Sequence, residues 1–137
     1  MSNWAYVAGI IRIDYVKYED IPKLDFDKLF GRDCDSIHEV FDANIHPELY
    51  LPVGSEGGLK KFIWVSYPNN PYFAKYTVSI FGDLCDYSCD KIIEWFKNKC
   101  KLIDSDKVPG GSIKQAIITV NNECGETKSY TYKKEEE

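Results

Sequence analysis

Residues 80–100, IFGDLCDYSCDKIIEWFKNKC, decide the fold. They close one alternating segment and open one helical one. Cys89, Ile92, Ile93, Phe96 and Cys100 recur at i, i+3, i+4, i+7 and i+11, which is a single apolar stripe on a helix. Ser88 suits the helix cap, and Asp90 in the first turn suits the positive end of the helix dipole. Lys97, Lys99 and Lys101 fall in the last turn, where cations are favoured. Upstream, Tyr72, Ala74, Tyr76, Val78 and Ile80 alternate with Phe73, Lys75, Thr77, Ser79 and Phe81, the period of a strand.

Working outward, KFIWVSYP and YFAKYTVSIFGD flank an NNP turn and predict a hairpin. DSDKVPGG reads as a loop, SIKQAIITVNN as a strand, ECGE as a turn and TKSYTYK as a closing strand. At the other end, WAYVAGIIRIDYV predicts a strand, with a break in phase around Gly9–Ile10 where a glycine can mark a bulge. YEDIPKLDFDKLFGRD predicts a helix capped by Asp20, with Pro22 just inside its start and Gly31 at its end. Residues 32–60 hold Pro47, Pro52, Gly54, Gly57 and Gly58 and predict an irregular, acidic excursion with one short helical turn. A connection of that length inside a compact domain is often functional.

The resulting order predicts an α+β fold of the ferredoxin-like βαββαβ kind. Helices cover one face of an antiparallel sheet, and a hairpin strand is added at the C-terminal end. The other face is expected to be rich in tyrosine and to contact something. Residues 1–133 form one domain on this reading, and 134–137 a frayed tail.

The 137 residues suffice for one domain, and 44% apolar with 28% charged residues is a globular composition. Aromatics at 15%, ten of them tyrosine, favour strands. Net charge is −5, and it is uneven. Residues 1–58 hold eleven acids against five bases, whereas 59–137 are nearly balanced. No basic stripe follows a phosphate backbone, which disfavours nucleic acid and favours a partner with a basic face. No apolar run is long enough for a membrane span, and the opening has no basic segment of a secretory signal. Five cysteines, an odd number, with no such signal predict a reducing cytosol and free thiols.

Chemistry-bearing clusters are weak. Cys34-x3-His38 with Cys85-x3-Cys89 supplies four zinc-ligand types, but without a C-x2-C knuckle, and Cys89 already belongs to the apolar stripe. Packing is the better reading of the thiols. Cys34 and His38 share a helix face at i, i+4, yet no orienting group or oxyanion site accompanies them. Asp33, Asp35, Glu39 and Asp42 lack the calcium-loop pattern and read as a solvated acidic face. His46, before Pro47, reads as loop decoration. VPGGS precedes its strand, and no phosphate loop exists. No catalytic residue, metal or cofactor is assigned.

SNWAYVAGIIRID resembles the S-N-W-x-Y-V-x-G opening of a group of small proteins from phages and prophages of Gram-positive bacteria. YTVSIFGDLCDYSCDKIIEWFKNKC followed by IKQAIITVNN is similar to the same group's strand, G-D-L-x-D turn and tryptophan-bearing helix. Cys85 stands where that pattern often has a basic residue. The resemblance implies an accessory phage protein of the host cytosol, non-catalytic, that binds and inhibits a bacterial host or defence protein, anti-CRISPR-like in action. CRISPR effectors have basic channels, and an acidic surface complements them. Asp33, Asp35, Glu39, Asp42 and Glu48 are the expected contact residues. One alternative is a nucleotide-signal sequestering protein with a tyrosine-lined pocket and bases such as Arg12 and Arg32. A small hydrolase is a weaker one. Free strand edges also allow homo-oligomers.

Overall fold

The computed structural model describes residues 3–17, 23–34 and 36–134. Five strands form one antiparallel sheet in the order β2-β3-β1-β4-β5: β1 Trp4–Val16, β2 Leu59–Ser66, β3 Phe73–Cys85, β4 Gly111–Asn122 and β5 Thr127–Thr131. Helix α1 is Phe26–Phe30, α2 is Ile37–Ile45 and α3 is Cys89–Ile103. The α+β class is thus as expected. The first connection departs from a bare βαββαβ, because it carries α1, α2 and a 3-10 turn at Pro47–Leu49 in place of one helix.

One side of the sheet is covered. Val7, Ile11 and Ile13 of β1, Val78 and Ile80 of β3, and Ala116, Ile118 and Val120 of β4 are buried against Leu29 and Phe30 of α1, Leu51, and Ile92, Phe96, Cys100 and Ile103 of α3. Of the stripe read in α3, Cys89, Ile92, Phe96 and Cys100 are buried and Ile93 is partly buried, and Ile103 extends the buried face. Ser88 takes the cap position, although its side chain makes no capping hydrogen bond.

Strand β1 runs in a single phase, contrary to the expected break at Gly9–Ile10. Gly9 lies on the covered face, and a Cβ there would stand 3.1 Å from Ile118 Cγ1. The glycine serves close approach of two central strands rather than a bulge. The irregularity lies instead on β4, where Arg12 pairs with Gln115 and Ile13 with Ile113. Lys114 is the extra residue, and it keeps Ile113 and Ala116 on one face.

Helix α1 is shorter than read. Asp25 caps it, its carboxylate accepting the Lys28 N–H at 3.1 Å, and Gly31 ends it. Asp20 and Pro22 lie outside the described residues. The excursion is more regular than read. Ser36 accepts the Glu39 N–H at 3.2 Å and donates its hydroxyl to Glu39 Oε1 at 3.3 Å, which caps the nine residues of α2. Asp35 and the side chain of Ile37 lie outside the described residues.

Candidate functional site

Among the described residues no helix covers the second side of the sheet, and its register is read directly from the ladders. Phe62, Ser79, Ile10, Ile117 and Thr131 form one row across all five strands. Lys60, Phe81, Ala8, Thr119 and Ser129 form the row beside it, and Trp64, Thr77, Arg12 and Gln115 the row on the other side. Ala8, Thr77, Ser79 and Thr119 are small residues set among the larger side chains of these rows. Phe62 is 62% exposed and Trp64 63%, with Phe81, Ile10 and Ile117 all more than a third exposed. A shallow trough between Phe81, Ile10 and Ile117 has Ala8 and Thr119 in its floor.

The aromatic character of this face was expected, but not its residues. Phenylalanine and tryptophan supply it, with Tyr6 at one end. The other tyrosines of the strands serve the covered side: Tyr15 and Tyr76 meet at 6.3 Å, and Tyr130 meets Phe96 edge-on at 6.3 Å. On β2 the alternation Phe62, Trp64 was legible, but a strand's two faces look alike until its partner's register is known.

The expected acidic contact residues are largely turned to internal use. Asp33 accepts the Lys61 N–H at 3.1 Å, and the Lys61 ammonium lies 3.6 Å from it. Asp42 accepts the Tyr50 hydroxyl at 2.6 Å. That bond, the largest cause, holds the Tyr50 phenol above its ordinary pKa. Arg32 donates to the same hydroxyl at 3.1 Å and stands over the ring at 4.8 Å, so it braces the excursion. Glu39 belongs to the cap of α2, and Glu48 pairs with His46 at 3.6 Å on an exposed turn. Asp35 lies outside the described residues. Arg12, expected with Arg32 at a ligand, stands instead on the open face of β1 opposite Thr77, whereas Arg32 bridges Tyr50 within the excursion.

The thiols do not converge. Cys85, Cys89 and Cys100 are buried, Cys34 is half-buried and Cys124 exposed. Cys85 donates toward Asp86, Cys89 accepts from Asn122 and Cys34 donates toward the Ser36 carbonyl. Among the described residues no group of three or more His, Cys, Asp or Glu side chains is arranged to hold a metal. No helix of the described residues is long and apolar enough to cross a membrane.

A larger hollow lies between the C-terminal half of α3 and the residues that follow β5. Its volume is about 670 Å³. Sequence reading missed it, because Lys97 and Lys101 are distant in sequence from Lys133 and Lys134.

Comparison of the chain with protein-family models, with curated proteins and with solved structures returns no match.

Proposed function

We propose that this chain is a non-catalytic binding protein that docks a protein partner on the open face of its sheet. The carrying observation is the exposure of Phe62 and Trp64 beside Ile10, Phe81 and Ile117 on one continuous surface. Large contiguous apolar patches on a folded surface mark interaction sites. Five strands about 4.8 Å apart, paired over ladders of thirteen, eleven, eight and five residues, span roughly 600 Å². That approaches the roughly 800 Å² each partner contributes to a standard interface. A protein fits this face better than a phosphate backbone does. Its cations Arg12, Lys60, Lys75 and Lys114 are interspersed with Asp14 and Asp83, and Lys114 lies 3.6 Å from Asp14, so no positive track forms.

The source and target follow the resemblance: a phage-encoded inhibitor of a bacterial host or defence protein, acting in the host cytosol. The scaffold is read as a ferredoxin-like split motif with an elaborated first crossover and an added β5. In support, the first four strands run β4-β1-β3-β2 when taken from the β4 side, every neighbour antiparallel.

The test compares three chains as bait in lysate of the bacterial host: the parent, Phe62→Ser/Trp64→Ser, and Glu39→Lys/Glu48→Lys. The sheet variant is expected to lose the protein that the parent retains, and the charge variant to keep it. The reverse pattern would return the contact to the acidic excursion. Light scattering on the parent separates a second copy: a two-chain mass that reverts to one chain in the sheet variant would make the partner this protein itself. Retention of nucleic acid by the parent but not the sheet variant would overturn the protein reading.

A further inference from the structure

We propose that the hollow between α3 and the end of β5 binds a nucleotide: a phosphorylated ligand carrying a flat ring. Four lysines, Lys97, Lys101, Lys133 and Lys134, line it with the rings of Tyr130 and Tyr132. In a chain of net charge −5 this is a local inversion of sign. The volume of about 670 Å³ lies within the range of roughly 300–1,000 Å³ usual for small-molecule sites.

The single carboxylate among the described residues that line the hollow is already engaged. Asp104 accepts the Ile113 N–H at 2.7 Å and the Tyr132 hydroxyl at 2.8 Å, and Lys134 stands 3.6 Å from it. Lys97, Lys101 and Lys133 have no ion-pair partner among the described residues. A cation in the last turn of a helix also answers its dipole, which accounts structurally for Lys101. It does not account for Lys133 and Lys134, which enter from beyond β5. Three or four like charges around one hollow repel each other, and a multiply charged phosphate relieves that repulsion.

The rings are set in advance. Phe96 fixes Tyr130 edge-on, Lys97 Nζ stands 6.0 Å from the Tyr130 ring centre, and Asp104 locks the Tyr132 hydroxyl. Ring surfaces held in place cost little to order when a base stacks on them. Charge and aromatic surface together select a nucleotide over a bare anion or a bare nucleoside.

Calorimetry on the full chain at low ionic strength, with ADP, GDP, adenosine and inorganic pyrophosphate as probes, tests this. Using the full chain includes any screening by the glutamates that follow Lys134. A diphosphate nucleotide is expected to saturate, with adenosine and pyrophosphate each at least about tenfold weaker. Lys101→Glu/Lys133→Glu, both exposed, is expected to lower nucleotide affinity at least about tenfold while leaving the unfolding transition in place. Pyrophosphate or adenosine matching the nucleotide would overturn the proposal. So would affinity unchanged in the double variant, or no probe saturating below about 1 mM. These substitutions leave the open sheet face intact, so failure here does not touch the docking reading.

Discussion

Asp33 accepts the backbone N–H of Lys61, an outward-facing donor of edge strand β2, at 3.1 Å. The Lys61 side chain is 7% exposed, points to the covered face, and is held by Asp27, Asp33 and the Gly31 carbonyl. An unpaired strand edge invites pairing with another chain, and an inward-pointing charge is one way to block it. Here the excursion's acid does both tasks, closing a donor and neutralising a buried cation.

Asp33→Ala should therefore reduce stability by about 1–2 kcal/mol, the cost of unsatisfied buried donors partly relieved by the remaining partners of Lys61. Chemical denaturation measures it as a lower midpoint at unchanged slope. A midpoint equal to the parent's would show that Asp33 is solvated and available for contact after all.

Gly31 takes a φ of 103°, and a Cβ built there would lie 2.3 Å from the Tyr50 backbone carbon. Both the conformation and the space exclude a side chain. The Arg32–Tyr50 bridge, with Arg32 N–H to Leu49 O at 2.9 Å and Leu51 N–H to Arg32 O at 3.0 Å, depends on this approach. Gly31→Ala should cost about 3 kcal/mol or more. Thermal unfolding within a degree of the parent would contradict the close packing of α1 against the excursion.

Burial separates the five thiols. It pushes Cys100 up to about 12, with Asp104 adding to the shift, and raises Cys89 as well. At pH 8 a disulfide reagent should label Cys124 quickly and Cys34 more slowly. Cys85, Cys89 and Cys100 should react only as fast as the protein unfolds. Peptide mapping of the labelled chain decides it, and rapid labelling of Cys89 or Cys100 would place α3 outside the core.

Asp86 accepts the Asn3 N–H at 3.0 Å and, more weakly, the Ser55 hydroxyl and the Cys85 thiol. The Asn3 bond, then that of Cys85, holds its carboxyl below the ordinary value. A lowered carboxyl stabilises the fold above the unfolded-state value, about pH 4, and loses that contribution as pH falls further. Asp86→Asn should flatten the decline in melting temperature below about pH 4. An identical acid profile in the variant would remove Asp86 from the N-terminal clasp.

The fold was legible wherever one face of an element is buried along its length. Helix α3 shows its stripe in sequence because five residues at helical spacing meet one sheet, and the alternation of β3 is plain for the same reason. Gly9 was misread because a bulge and a close approach call for the same residue, and only Ile118 on the facing strand distinguishes them. The excursion was misread because its order comes from Asp33, Asp42, Arg32 and Tyr50 bonding across the chain rather than from any local period.

Periodicity along the chain was enough to settle the α+β class, the strands, the last helix and the packing use of Cys89 and Cys100. A repeat of two or 3.6 residues is a local property, imposed on each segment by the one surface it buries. Three things had to wait for the tertiary structure: which face of the sheet stays bare, which acids are consumed inside, and where four lysines meet two tyrosines. Each depends on residues far apart in sequence, brought together by strand register and chain crossover.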